Sequence, residues 1–305
     1  MGLTTTPGMT PHYRALSRLL ALYAESQGST SLDARRNSQS ALVRGLRLQE
    51  RGDVAVIERR TSDRQGWCVF EPAGARAARE IFYVHGGGLV FYSVEDYRSL
   101  LQHFAALSQC RVSGFSYPPA PENALPEILA SLVDSFDRNL KQVPADTEIV
   151  LAGDSIGAYW ALYLALRCFP RRFHRLVMIY PVLDLHREYA SFEAHGRSHF
   201  LSAQTMNWFR ALSRETAPLR GILRPFDPQR LDDDELAVLP RIVVASAGCD
   251  VLRDEAFSWI EFLSARGVPS VHRHFADLPH DFCLHAGRVP PARLAVNEIC
   301  GLLFE

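Results

Sequence analysis

Five short apolar runs recur along this chain with helix-compatible spans between them: Ile81-Phe82-Tyr83-Val84, Arg111-Val112-Ser113-Gly114-Phe115, Ile149-Val150-Leu151-Ala152, Leu176-Val177-Met178-Ile179-Tyr180 and Ile242-Val243-Val244-Ala245. Runs of this kind are strands covered on both faces, and strands that alternate with helices pair in parallel. The expected fold class is therefore α/β, on a largely parallel sheet. Ahead of these runs, Val54-Ala55-Val56-Ile57-Glu58 and Trp67-Cys68-Val69-Phe70 flank the polar stretch Thr61-Ser62-Asp63-Arg64-Gln65-Gly66. They read as two antiparallel strands joined by a turn. Val271-His272-Arg273-His274-Phe275 is the last strand-like run.

Residues 10–25 place Leu16, Leu19, Leu20, Leu22 and Tyr23 close to one helical face, and a mixed segment follows to about residue 49. Between residues 184 and 240 the strand pattern lapses, leaving helical pieces such as 202–214. A core gains nothing from so long an excursion, so a lid over a site is the expected reason for it. The expected division is a core of residues 51–184 and 241–305, a cap insertion of 185–240, and an N-terminal helical part of the cap in 1–50.

With 305 residues, 47% of them hydrophobic and 22% charged, the chain can bury a full core. The formal net charge is -1 and no long basic run occurs, which argues against nucleic acid as a partner. The N-terminus lacks a secretory pattern, and no segment approaches the roughly 20 apolar residues that span a bilayer. A cytoplasmic location and no membrane association are expected. Cys68, Cys110, Cys168, Cys249, Cys283 and Cys300 form no Cys-x-x-Cys pair, so they read as reduced, mostly buried small hydrophobes. No metal and no cofactor are expected, although Cys249 and Cys283 fall close enough to the residues discussed next to line a pocket.

Gly153-Asp154-Ser155-Ile156-Gly157 lies between the run ending at Ala152 and a helix-like stretch over 158–166. A serine on a sharp strand-to-helix turn needs small flanking residues, because a Cβ there would strike the neighbouring strand or helix. Upstream, the strand Ile81-Phe82-Tyr83-Val84 runs into His85-Gly86-Gly87-Gly88. Consecutive glycines let backbone approach a substrate and leave N–H groups free to face an anion; each donor aimed at a developing oxyanion is worth roughly 3 to 4 kcal/mol. A serine hydroxyl also needs a base to take its proton. Histidine follows the acid in this chain order, and His280, just past the last strand-like run, is favoured over His272 and His274 within that run and over His285 beyond it. Asp250, in the loop after the strand ending at Ala245, is the expected orienting acid. Asp254 lies one helical turn further on and suits the first turn of the next helix.

These pieces, with Tyr117-Pro118-Pro119-Ala120-Pro121-Glu122, Tyr180-Pro181-Val182-Leu183-Asp184, Asp250-Val251-Leu252-Arg253-Asp254-Glu255 and His280-Asp281-Phe282, stand in an order that resembles the hormone-sensitive-lipase-like α/β hydrolases. Within that group the chain is most similar to bacterial acetyl esterases and other short-chain carboxylesterases. The resemblance covers about residues 80 to 290. It implies an α/β-hydrolase fold with a mostly parallel eight-stranded sheet, flanking helices and a helical cap. It implies ester hydrolysis without cofactor by Ser155, His280 and Asp250, with the N–H groups of Gly87, Gly88 and Ile156 as oxyanion donors. His85 is then a structural residue bonded to its own loop, and Asp154 a turn-stabilising carboxylate.

The departures from the family pattern bear on substrate. Ile156 replaces the usual alanine, and its bulk favours a short acyl group. Pro118 stands where arginine is usual, and Leu89-Val90-Phe91-Tyr92 follows the glycines where many relatives have another glycine. Leu89, Phe91, Tyr92 and the cap residue Trp208 are the expected substrate contacts, although Phe200, Trp208 and Phe209, at near-helical spacing, all read first as helix packing. Two other readings stay open: an acyltransferase or deacylase dedicated to one natural product, and a non-catalytic small-molecule-binding protein. The expected partner is a small-molecule ester; the oligomeric state is open, a homodimer included.

Overall fold

The computed structural model describes residues 8–27, 31–62, 65–76, 78–185, 187–198, 200–215 and 230–304. Its strands are β1 (Val54–Ser62), β2 (Gln65–Pro72), β3 (Arg79–Val84), β4 (Arg111–Ser116), β5 (Glu148–Asp154), β6 (Arg175–Ile179), β7 (Arg241–Cys249) and β8 (Ser270–Pro279). They form one eight-stranded sheet in the order β1-β2-β4-β3-β5-β6-β7-β8. β1 with β2 and β2 with β4 pair antiparallel, and every later pair is parallel. Each apolar run of the sequence is thus a strand. The tip of the expected first turn, Asp63 and Arg64, lies outside the described residues.

Side chains of a strand alternate between faces, and the core divides accordingly. Phe82, Val84, Leu151, Met178 and Val244 belong to one buried layer, with α4 (Leu125–Leu140), α5 (Ile156–Tyr163) and α9 (Arg253–Ala265) supplying residues to it. Ile81, Tyr83, Val150, Val177 and Val243 belong to the other, with α3 (Val94–Ser108) and α10 (Pro290–Leu302). All eight residues of α5 are buried. A helix enclosed on every side fixes its first residue, and that residue follows Ser155.

The remaining helices are α1 (Pro11–Gln27), α2 (Leu32–Leu46), α6 (Ala190–His195), α7 (Ala203–Glu215) and α8 (Asp233–Ala237). Three of them lie within residues 185–240, where residues 216–229 fall outside the described set. Among the described residues no helix is long and apolar enough to cross a membrane.

The sequence offered only a mixed segment where α2 runs, because the helix is fastened by polar groups. Arg36 is buried, and its Nε donates to the Val90 carbonyl at 3.0 Å and its Nη2 to the Ala120 carbonyl at 2.8 Å. Its two Nη atoms grip the Glu122 carboxylate at 2.6 and 2.7 Å. One turn on, the Ser40 hydroxyl donates to the Asp96 carboxylate at 3.2 Å. Arg36→Met keeps the apolar stem and deletes these bonds. Given about 1.5–3 kcal/mol for a hydrogen bond to a charged group, the variant is expected to lose on the order of 3 kcal/mol of stability, read as a lower urea midpoint.

Candidate active site

Ser155 is the single residue between β5 and α5, and its backbone sits at φ 52 and ψ -123. A non-glycine residue there stores strain, which the surroundings must hold in place. Three backbone bonds do so: Ser155 N–H donates to Ile179 O at 2.9 Å, and Ser155 O accepts from Ala158 and Val182 N–H at 3.1 Å each. Both flanking glycines are required by contact. A Cβ on Gly157 would lie 2.2 Å from the Val84 carbonyl oxygen, and one on Gly153 would lie 2.5 Å from that of Gly157.

β7 ends at Cys249 and β8 at Pro279, so Asp250 and His280 each begin the loop after a strand end. The two loops bring them to the elbow. Ser155 Oγ lies 3.0 Å from His280 Nε2, and His280 Nδ1 lies 2.6 Å from Asp250 Oδ2. With Nδ1 donating to the carboxylate, Nε2 is left to accept from the serine hydroxyl. Asp250 is held in turn, its Oδ1 accepting Leu252 N–H at 3.1 Å. Burial alone would depress His280, but the carboxylates of Asp250 and Asp281 and the hydrogen bond to Asp250 outweigh it and hold the imidazole above the ordinary 6.5. Asp281 Oδ1 stands 3.6 Å from Nε2.

The rival residues are engaged elsewhere. His272 and His274 share the Ser246 hydroxyl at 2.7 and 2.8 Å, and His285 faces Tyr13 and Phe200. Asp254, in the first turn of α9, accepts Ser191 N–H at 2.7 Å and pairs with Arg253.

Gly87 and Gly88 adopt φ of 100 and 61 in the loop after β3. Their N–H groups and that of Ile156 donate to no described group, and all three residues line the cavity that contains Ser155 and His280. That places three backbone residues with unspent donors around a serine already bonded to a base. The chemistry available to such a cluster is addition to a carbonyl, with the resulting oxyanion held by the donors.

A family model for the alpha/beta hydrolase fold matches residues 81–284, which spans every one of these site residues. The chain belongs to the α/β hydrolases, in their hormone-sensitive-lipase-like branch. An ethyl acetate hydrolase of Pseudomonas putida is 30% identical to it over 70% of this chain and 68% of that one. An alpha/beta hydrolase of Acanthamoeba polyphaga mimivirus is 27% identical over 71% of this chain, which spans 64% of the viral protein's length. The crystal structure of a thermostable esterase from Pseudomonas putida ECU1011 shares the fold at a TM-score of 0.83 and 22% identity, covering 99% of each chain. The family match and the curated esterase relatives place the chain among the carboxylic ester hydrolases.

The hydrolase cavity has a volume of about 160 Å³. Leu89, Phe91 and Tyr92 line it, and so do Phe200 and Phe209, aromatics that read first from sequence as packing. Trp208 does not. It lies behind the wall, its ring 5.9 Å from Phe91 and 5.2 Å from Phe209, because adjacent positions on α7 point about 100° apart and Phe209 takes the inward one. The Phe209 ring rests on Gly88, where a Cβ would meet it at 2.2 Å. Cys249 and Cys283 are buried and absent from the lining. Arg35 and Gln39 of α2 and Thr205 and Met206 of α7 also face the cavity. Sequence reasoning missed them; for α2 the i, i+4 spacing of Arg35 and Gln39 was the available signal, hidden by the helix's sparse apolar pattern.

His85 donates from Nδ1 to the Gly86 carbonyl at 2.8 Å and stacks on Tyr117 at 4.4 Å, and burial lowers its pKa to about 4. Asp154 accepts from Tyr83 and Tyr97 hydroxyls at 2.9 and 2.7 Å and from Gly86 N–H at 3.0 Å. Burial pushes its carboxyl from 3.8 up to about 7, against the two tyrosine bonds. The folded pKa stands above the unfolded one, so the stability this group contributes is complete below the unfolded value and is lost as pH rises through the folded value. Asp154→Asn has no such proton to lose. The unfolding free energy of wild type relative to Asp154→Asn is therefore expected to fall between about pH 5 and 7, by up to about 1.4 kcal/mol per pH unit, in parallel urea titrations.

Proposed function

We propose that this chain is a serine carboxylesterase that hydrolyses short-chain, acetyl-like esters through an acyl-enzyme. The observation that carries the reading is the buried relay from Asp250 through His280 to Ser155, at 2.6 and 3.0 Å. In the first half-reaction His280 Nε2 takes the Ser155 proton as Oγ attacks the ester carbonyl. The N–H groups of Gly87, Gly88 and Ile156 hold the oxyanion. The tetrahedral adduct collapses as the imidazolium gives its proton to the leaving alcohol. Water then repeats the sequence on the acyl-enzyme, and no metal or cofactor takes part. Asp250 keeps the imidazole in the tautomer that presents Nε2 and stabilises its cation.

Three features support a short acyl group. The cavity is small, Ile156 puts a β-branched side chain on its wall beside the nucleophile, and a relative carries the name ethyl acetate hydrolase. That Leu185, Phe200, Leu201, Thr205, Met206 and Phe209, with Arg35 and Gln39 of α2, line the cavity around Ser155 supports reading the segment after Asp184 and the N-terminal helical part as its cap.

Two measurements check the proposal. On a panel of p-nitrophenyl esters from acetate to decanoate, kcat/KM is expected to peak at the short end. Ser155→Ala is expected to lower it by at least about 10⁴-fold on every member, as loss of a triad nucleophile does. Preference for decanoate would overturn the chain-length reading, and near-normal hydrolysis by the variant would overturn the mechanism. The second concerns pH. Neutral His280 is the working base, so kcat/KM rises with pH through a midpoint above 6.5. Asp281→Asn removes one of the charges that raise it and is expected to move that midpoint down.

A further inference from the structure

Arg35 and Gln39 stand one turn apart on α2 and both face the cavity that holds Ser155. Neither is engaged as its neighbours are. Arg36 spends its donors on Val90 O, Ala120 O and two carboxylates, and Ser40 is bonded to Asp96. Among the described residues Arg35 has no carboxylate partner; its guanidinium lies over the Trp208 ring, 4.6 Å from the centroid. The Gln39 amide likewise makes no hydrogen bond to a described group. The aromatic ring steadies the guanidinium and leaves its edge donors unspent.

The rest of the wall explains why such donors matter. Around the catalytic serine it is largely apolar, with Leu89, Phe91, Met206 and Phe209. Among the described residues the one carboxyl lining the cavity is that of Asp281, which stands beside His280 Nε2 at 3.6 Å. The cavity therefore has a carboxyl at its catalytic end and a cation on its cap. A neutral acetate ester uses neither. An ester with an anionic substituent is oriented by both, its charge drawn to the cap and kept from the base.

We propose that the substrate of this site is an ester bearing an oxyanionic group, a carboxylate or a phosphate, which Arg35 grips with its planar fork while the Gln39 amide supplies a further donor. This deepens the esterase reading and rests on it. A guanidinium meets either oxyanion with two parallel N–H bonds, a match that an apolar cavity with neutral ligands would leave idle. Because α2 is pinned to Val90 and Ala120 by Arg36, the backbone that carries the two donors is held in place beside the cavity. Arg35 is itself exposed to solvent, so the attraction is screened by salt.

The test uses matched ester pairs that differ in one carboxylate. Mono-p-nitrophenyl glutarate against p-nitrophenyl valerate places the charge on the acyl side; 4-acetoxybenzoate against phenyl acetate places it on the alcohol side. In one of the pairs the anionic ester is expected to have the higher kcat/KM, mostly through KM. Arg35→Ala is expected to lower the anionic-to-neutral ratio about tenfold, the size of one charge-assisted hydrogen bond. Arg35→Lys should keep part of the ratio, Arg35→Glu should invert it, and raising NaCl should shrink it. Gln39→Ala should lower it less than Arg35→Ala does. If neither pair favours the anion while neutral esters turn over, the proposal fails and the esterase reading stands. It fails equally if Arg35→Ala slows both members of each pair alike, since that is what a residue stitching α2 to α7 through Trp208 would do. Absence of turnover on all four esters would instead overturn the esterase reading itself.

Discussion

The carboxylate of Asp154 ends the strand that carries the elbow, yet one of its three bonds goes to Gly86 N–H, in the loop of the neighbouring strand. Ser155 and the Gly86–Gly88 loop follow different strands, β5 and β3, which are paired in register up to Val84 and Gly153. Beyond that pair the ladder stops, and backbone hydrogen bonds no longer fix one loop against the other. Asp154 continues the fixing past the end of the sheet, with Tyr83 and Tyr97 filling its remaining acceptor sites. Its approach is so close that a Cβ on Gly86 would lie 2.5 Å from its Oδ2. Holding side chains from separate loops at hydrogen-bond distance requires this kind of lock.

Strain is handled in the same manner. The positive φ of Ser155 is enforced from one side by Ile179 O and from the other by a helix buried along its whole length. The loop after β6 is fastened as well: Leu183 and Asp184 N–H groups donate to the buried Glu255 carboxylate at 3.1 and 3.3 Å, while Val182 N–H reaches Ser155 O. The loops after β3 and β6, both next to Ser155, are thus tied to buried carboxyl groups of the core. The core supplies rigidity here, and the site uses it.

The core was legible in the sequence for a simple reason: its strands are buried on both faces, so hydrophobicity alone marks them, and the glycines flanking Ser155 mark the turn by what they lack. His280 and Asp250 could be singled out by chain order and by standing in the loops after the last two strand-like runs; those strands run on to Cys249 and Pro279, directly before the two residues. What could not be read was α2. Its inward positions are Arg36, Ser40 and Val43, so a search for apolar periodicity passes over it. The choice between Trp208 and Phe209 was equally closed to sequence, since both are aromatic and the helix phase that turns Phe209 onto Gly88 is set by tertiary packing. Asp154 was read as steadying its own turn, whereas its bonds reach Tyr83, Gly86 and Tyr97, residues far from it in sequence.

The manner of anchoring α2 has an evolutionary consequence. Two of the contacts that Arg36 makes across the molecule are to backbone carbonyls, of Val90 and Ala120, and these persist whatever side chains those positions carry. The helix is therefore held mainly by Arg36, with Ser40 on Asp96 and the buried Val43 beside it, whereas positions 35 and 39 make no hydrogen bond to a described group. Mutation at those two positions leaves the Arg36 bonds to the backbone in place. A lineage built on this scaffold is free to vary the cavity wall at the positions beside the anchor while the anchor itself is kept.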